Sequence, residues 1–317
     1  MELSLIYKYQ PKKFDDFIIS DDMKLTLKTF IHINDINVLL IGDNGSGKTT
    51  LINAIINEYY GDISTSIIND NILYINSLKE QGISYYRNEV KTFCQVTSSI
   101  YNKKKILVLD DIDIINEQSQ QVFRNCIDKY SSTVHFIASS NNPQKVIESL
   151  QSRLHIITIK PITGQNLLKI MNKITTLEKI NIKPDAVDFI ISVSNNSIRI
   201  LINYLEKCKL LNREISLDLA NKLCTNIIFE DFNDYTRLCL EKKLKEAIQV
   251  FYTIFNKGYS VMDILDNYFL FVKITPMLDE TKKYKIISLL CKYITIFNVA
   301  HEDEIELALF TNNLIAL

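Results

Sequence analysis

The sequence predicts an α/β fold in its first half and wholly helical structure in its second, on three observations. Short apolar runs recur through the first 160 residues: VLLI at 38–41, ILYI at 72–75, KILVLDD at 105–111, VHFIASS at 134–140 and HIITI at 155–159. They are continuous rather than alternating, the pattern of strands covered on both faces, so the sheet should be parallel with helices on each side. After Pro161 the strand signals stop and only helix-period patterns remain.

Taken in order, VLLI runs into the glycine-rich stretch GDNGSGKTT and a helix to about Tyr59. ILYI precedes a helix predicted from Ile83 to about Ser99. KILVLDD precedes a helix through Gln121 and Ile127, VHFIASS comes next, and a short helix is expected around Val146 before the last strand. In the second half, 167–177, 184–193, 198–211 and 217–224 read as a small helical unit, with Pro184 at a helix start, where its missing N–H costs nothing. From about Phe229 onward come stripes such as Ile248, Phe251, Tyr252, Phe255 and Ile264, Leu265, Tyr268, Phe269, Val272. Stripes at helical spacing mark core or subunit-packing faces. The expected division is 1–160, an α/β domain; 161–226, a helical lid; and 227–317, a helical C-terminal domain.

The bulk properties exclude several classes. Hydrophobic residues make up 47% and charged residues 23%, ordinary for a globular protein. No apolar run approaches the roughly 18–20 residues a membrane span needs, and the start, MELSLIYKYQPKKFDDF, does not read as a signal peptide. A soluble intracellular protein is therefore expected. The six cysteines form no CxxC pair and the four histidines are scattered, so buried free thiols are expected rather than a metal site. Residues 1–160 carry 17 Lys+Arg against 18 Asp+Glu, and the remainder 19 against 19. A protein that coats nucleic acid by itself usually has a basic domain; DNA, if bound here, must be held by a few placed cations.

The chemistry lies in the spacing. G-x-x-x-x-G-K-[ST] matches as Gly42, Gly47, Lys48 and Thr49, after a strand and opening a helix. Across Gly42, Asp43, Asn44, Gly45, Ser46, Gly47, Lys48, Thr49 and Thr50, the glycines let backbone N–H groups turn inward around phosphate oxygens, and the helix N-terminus adds its dipole. Lys48 is expected to reach the β- and γ-phosphates, and the Thr49 hydroxyl to ligate Mg²⁺. Asp110, ending an apolar strand, is placed to hold Mg²⁺ through water, and Asp111 stands where many ATPases carry the carboxylate that orients the attacking water. Asn141, at the end of VHFIASS, is placed to sense the γ-phosphate, though Asn there is also a common turn former. Arg153 and Arg199 complete the set, each also readable as a surface ion-pair residue.

From about Leu5 to Glu206 these residues resemble, in order, the small subunits of replication factor C, the AAA+ clamp loaders. Tyr7-Lys8-Tyr9-Gln10-Pro11 with Phe14, Asp15 and Asp16 is similar to the family's EKYRP segment, which borders the adenine; the resemblance thereby assigns Tyr9 and Pro11 to nucleotide binding. Asn76 and Ser77 through Gly82-Ile83, then Arg87, Lys91 and Phe93, resemble its NASDxRGI stretch and the spaced Arg, Lys and Phe beyond it. QQVFRNCIDKY (120–130) resembles QALRRTMExY, and KVIESLQSRL (145–154) resembles KIIEPIQSRC, with Asn141 at sensor 1. Arg199 and Asn203 keep the offset of the sensor-2 motif GDxRxxxN.

The resemblance implies an AAA+ α/β domain, lid and C-terminal collar, ATP and Mg²⁺ as cofactors, and ATP hydrolysis coupled to opening a PCNA-like sliding clamp and loading it onto primer–template DNA. It implies a hetero-pentameric ring of clamp-loader subunits, no membrane, and the nucleus or a viral replication compartment as location. Arg153 becomes the arginine finger acting on the neighbouring subunit's ATP, Arg199 reports the γ-phosphate to the lid, and Arg87 and Lys91, four apart on one helix face, contact DNA phosphates. The helix end from Asn125 to Ser131 becomes the clamp contact. Asp111 replaces the family's usual Glu, Gln10 its Arg, Leu154 the Cys of SRC, Asn196-Ser197 its Gly-Asp, and Asp43-Asn44 its Pro-Pro. Two other readings stay open: a nucleotide-binding subunit that hydrolyses little itself, and another AAA+ DNA-remodelling ATPase.

Overall fold

Alternation along five short strands divides the first half of the chain into two cores. The computed structural model describes residues 3–61, 63–76, 86–224, 227, 229–297 and 301–317. Strands β1 (Val38–Ile41), β2 (Ile72–Asn76), β3 (Lys105–Asp110), β4 (Val134–Ser140) and β5 (His155–Thr158) form one sheet in the order β2-β3-β4-β1-β5. Every pairing is parallel, as the continuous apolar runs predict. Val38, Leu40, Ile106, Val108 and Ile137 pack on one face with the helix Lys48–Tyr60. Leu39, Leu107, Leu109, Phe136 and Ala138 pack on the other, with Phe123, Cys126 and Ile127 of the helix Glu117–Tyr130.

The five strands coincide with the predicted runs to within about a residue; helices differ more. The segment predicted as one helix over 83–99 begins outside the described residues, at Ile83, and Ser77 and Gly82 lie outside them as well. Its described part is a π-helical turn, Tyr86–Val90, continued as the α-helix Lys91–Gln95. Tyr86, Val90 and Cys94 are all buried. Side chains four apart drift one way around an α-helix and the other way around the wider π turn, so joining the two keeps all three on the same face. Val146, expected within a short helix, instead sits in extended backbone between the 3-10 turn Pro143–Lys145 and the helix Glu148–Gln151. The helices Leu5–Lys8, Asp21–His32 and Thr65–Asp70 are additions to the sequence reading.

The chain divides into two compact units, Met1–Ile174 with Asn196–Asn203, and Thr175–Asn195 with Tyr204–Leu317. The first contains the sheet. The second is helical and includes Pro184–Val193, Leu217–Cys224, Phe229–Leu240, Leu244–Phe255, Val261–Ile274, Glu280–Phe297 and Ile305–Ile315. The predicted stripes converge there: Phe251, Ile264, Leu265, Tyr268 and Val272 are fully buried with Phe232 and Phe310. Tyr235 stacks on Phe251 at 3.6 Å between centroids, and Tyr268 meets Tyr235 edge-on at 5.2 Å. The two buried hydroxyls are satisfied, Tyr235 with Thr311 at 3.0 Å and Tyr268 with Thr236 at 3.1 Å, which removes the cost of burying them. Replacing Phe251 by Ala empties the centre of this aromatic cluster. It is expected to destabilise the helical unit by about 3–5 kcal/mol, read as a fall in the urea midpoint followed by circular dichroism.

All six cysteines are free; five are buried and Cys291 is exposed, against the expectation that all would be buried. Among the described residues no group of three or more acidic, Cys or His side chains could hold a metal ion, and no helix is long and apolar enough to cross a membrane.

Candidate nucleotide-binding site

The carboxyl ends of β1, β3 and β4 lie side by side because β4 separates β1 from β3. In open parallel sheets this edge is where ligands bind. Gly42 leaves β1 with its N–H donated to the Ser140 carbonyl on β4, 3.2 Å away. Gly45 and Gly47 then adopt φ of +77° and +96°, the left-handed region that disfavours any side chain. At Gly45 space adds to the constraint: a Cβ there would fall 2.5 Å from the Ser197 hydroxyl. Gly47 caps the helix Lys48–Tyr60, so the loop delivers Lys48 and Thr49 into that helix's first turn.

The Lys48 ammonium donates to the carbonyls of Gly42 and Asp43, at 2.9 and 3.0 Å, and to Asn141 Oδ1 at 2.5 Å. Burial pushes it below the usual lysine range, and Asp111, Asp110, Asp113 and Asp43 oppose that shift. The Thr49 hydroxyl donates to Asp110 Oδ2 at 3.0 Å. Asn141 spans the site, accepting from Lys48 and donating from Nδ2 to Asp111 Oδ1 at 3.2 Å. Asp111 sits at φ +52°, left-handed backbone that Asp tolerates better than most residues. Burial and then the adjacent Asp110 charge raise its carboxyl above the ordinary range.

Four residues to which the sequence assigned no role in the site hold this arrangement. Ser139, fully buried on β4, donates to Asp110 Oδ1 at 2.5 Å and accepts from the Asp111 N–H at 2.9 Å. Asp113 accepts the backbone N–H groups of Asn141 and Asn142, one on each oxygen, both at 3.3 Å. Gln120, buried, donates to the carbonyls of Ile112, Ile115 and Lys145 and accepts from the Ile147 N–H. Ser197, beside Gly45, also accepts from Ile200 N–H at the start of the helix Ile198–Leu211. The third acid of DDID was the legible signal among them. A buried Ser or Gln has no pattern until the strands are paired.

The groups suit a nucleoside triphosphate with Mg²⁺. Two left-handed glycines make the cradle, the Ser46 hydroxyl is buried there with no hydrogen-bond partner among the described residues, and a lysine ammonium already rests on loop carbonyls. Thr49 and Asp110 offer adjacent hard oxygens, the donors Mg²⁺ takes.

The structure thus brings together Gly42 to Thr49, Asp110, Asp111 and Asn141. Arg199 is exposed, and its Cβ lies 3.7 Å from where a Gly45 Cβ would be. Helical spacing predicts Ile198, Leu201, Ile202 and Leu205 on the core face of its helix; Leu201, Ile202 and Leu205 are buried and Ile198 is half-buried. Tyr9 and Pro11 are half-buried in the N-terminal segment. Arg87 and Lys91 are exposed, each next in sequence to a buried residue, Tyr86 and Val90. Arg153 lies apart, with Nε donating to Asp128 Oδ1 at 2.5 Å and Nη1 to the Ser149 carbonyl at 2.6 Å.

Comparison with known proteins bears on both units. Residues 38–162 match the ATPase family associated with various cellular activities (AAA), and residues 230–293 match the replication factor C C-terminal domain. A replication factor C small subunit of Methanococcus maripaludis is 29% identical over 288 residues, 90% of this chain and 89% of that one. One from Picrophilus torridus is 32% identical over 200 residues, 63% and 62% of the two chains. A mimivirus protein carrying the same small-subunit name is 28% identical over 278 residues, 87% and 86%. Among solved structures, the RuvB Holliday junction branch migration motor of Thermotoga maritima superposes with a TM-score of 0.53 at 17% identity, covering 75% of this chain and 84% of that one. Domain III of the replication initiation protein DnaA from the same organism gives 0.51 at 16%, covering 72% and 99%. Likeness at that identity establishes the fold alone.

Proposed function

Because the chain belongs to the replication factor C small-subunit family of AAA ATPases, we propose that it is an ATP-hydrolysing subunit of a clamp-loader ring. In a hetero-pentamer with other clamp-loader subunits it opens a PCNA-like sliding clamp and loads it onto primer–template DNA. The observation that carries this reading is the succession, in one chain, of an AAA match at 38–162 and a replication factor C C-terminal match at 230–293. Residues 1–160 serve as the nucleotide-binding domain, 161–226 as the lid and 227–317 as the collar. The setting that suits this work is the nucleus or a viral replication compartment.

Each residue has its own part in the reaction. The loop from Gly42 to Thr50 holds the triphosphate and Lys48 neutralises its β- and γ-oxygens, while Tyr9 and Pro11 border the base. Thr49 and Asp110 hold Mg²⁺, which when bound draws negative charge off the phosphate oxygens. Asp111 orients and deprotonates the attacking water, and Asn141 ties that base to Lys48. Arg199 reports the γ-phosphate to the lid. Arg153 reaches the neighbouring subunit's nucleotide, the arrangement in which such a cation accelerates phosphoryl transfer by roughly 10³–10⁵ in other nucleotidases. ATP binding favours the clamp-opening state and hydrolysis ends it, a population shift driven by differential affinity.

Arg87 and Lys91 supply DNA contacts to phosphate alone, repeated around the ring, which reconciles DNA binding with a net charge of −1. The test is ATPase of the assembled complex with and without sliding clamp and primed DNA. Stimulation by both together is expected, and its absence overturns clamp loading. The double change R87A with K91A is expected to weaken binding equally on all DNA sequences. It should also lower the log–log salt slope by about 0.9 for each phosphate that the pair neutralises. An unchanged slope in fluorescence anisotropy removes these two residues from the DNA path.

A further inference from the structure

We propose that Asp128 is a positioning residue that aims Arg153 at the neighbouring subunit's nucleotide; the inference rests on the reading of Arg153 as a group acting in trans. An arginine side chain loses several rotatable bonds' worth of freedom when fixed, so a long cation that must meet another chain's γ-phosphate reacts faster if it is already ordered. Here one of the anchors comes from outside its own turn. Arg153 lies just beyond the four-residue helix Glu148–Gln151 and reaches across to Asp128, near the end of the helix Glu117–Tyr130.

The anchoring is selective by atom. Asp128 Oδ1 takes Nε at 2.5 Å, and the Ser149 carbonyl takes Nη1 at 2.6 Å, with the Ser152 hydroxyl a longer partner of the same nitrogen at 3.4 Å. Two anchors on a planar group fix its plane. Among the described residues neither Nη2 hydrogen has a partner, and the Arg153 side chain keeps 31% of its exposure. The guanidinium is thus held by one edge and presents the other.

The second oxygen of Asp128 faces Arg124, whose Nε is 3.7 Å away and makes no hydrogen bond among the described residues. One carboxylate between two guanidiniums leaves the trio with one net positive charge. Asp128 therefore orders Arg153 without cancelling the cluster's attraction for a phosphate. It also keeps the two arginines from repelling one another, and the hydrogen bond from Arg153 holds its carboxyl below the usual carboxylate range. An ion pair this exposed contributes little to stability, so the function of the contact is geometric.

The experiment uses the assembled ring purified through a tagged copy of this chain, with single-turnover ATPase in the absence of sliding clamp as readout, because Asp128 lies in the segment 125–131 assigned to clamp contact. Four variants are compared: Arg153→Ala, Asp128→Ala, Asp128→Asn and the double alanine. Asp128→Ala is expected to slow hydrolysis roughly tenfold, as misplacing a reacting group by a fraction of an ångström does. Asp128→Asn, which keeps an acceptor for Nε, is expected to recover part of that loss. In the Arg153→Ala background Asp128→Ala should change nothing further, since its whole effect passes through Arg153. A fluorescent ATP analogue should bind the isolated Asp128→Ala chain as it binds wild type, because the chain's own loop is untouched. Turnover of Asp128→Ala equal to wild type, or faster as a retaining latch would give, overturns the positioning role while a slow Arg153→Ala leaves the trans reading standing. Arg153→Ala at the wild-type rate overturns both.

Discussion

Lys48→Ala is expected to weaken ATP binding at least a hundredfold and to remove this subunit's own hydrolysis, in a titration with a fluorescent nucleotide. A hydrogen bond to a charged group contributes roughly 1.5–3 kcal/mol, and Lys48 is placed to make two or more to a triphosphate in place of those it makes to Gly42, Asp43 and Asn141. Its loss also strips a cation from a cluster in which Asp43, Asp110, Asp111 and Asp113 all act on it. Those carboxylates would then repel the incoming phosphates without that cation between them. Binding at wild-type strength would show that the loop amides and metal suffice and that Lys48 merely packs against its own loop.

Asp111→Asn separates binding from turnover. The amide preserves the shape, tolerates the left-handed backbone at φ +52° and can still accept from Asn141, so nucleotide affinity should hold. Hydrolysis should fall by about 10²–10⁴, the usual contribution of a general base. The pH profile carries the sign. Burial, with the charge of Asp110, raises the Asp111 carboxyl above the ordinary range. It therefore takes up its proton at a higher pH than a free aspartate, and turnover declines as pH falls through that raised value. In the Asn variant this acid limb disappears. Substantial turnover with an unshifted limb would assign the base elsewhere. The side chain is one methylene shorter than the family's usual Glu, so proximity should make the wild-type rate itself modest; the αL backbone is a conformation in which the shorter side chain is the less strained of the two.

Much of the site was legible because its chemistry is local. Gly42, Gly47, Lys48 and Thr49 owe their geometry to one turn between a strand and a helix, and the spacing of glycines encodes that turn directly. Asp110 ends a fully apolar run, which marks both the strand and the edge at which it stops. The five strands were equally plain as continuous apolar runs: β1, β3 and β4 are buried almost throughout. The edge strands β2 and β5 keep the same character although Tyr74 and three of the four β5 residues are exposed, against the expectation of cover on both faces. Helix limits were less so: the π turn at Tyr86–Val90 answers to which side chains the sheet must cover, a demand that spacing within the segment does not record.

The supporting shell was not legible for the same reason. Ser139 joins Asp110 to Asp111 only because β4 is inserted between β1 and β3. Gln120 and Asp113 bind backbone groups from 25 to 29 residues away, and backbone donors have no sequence signature. Asp128 and Arg153, 25 residues apart, meet across two helices. By itself the sequence determined the phosphate loop, the parallel sheet, the helical second half and the identity of the charged groups. The tertiary structure alone decided which partner each of those groups has, because hydrogen bonds form between neighbours in space, and strand order makes neighbours of residues that the chain keeps apart.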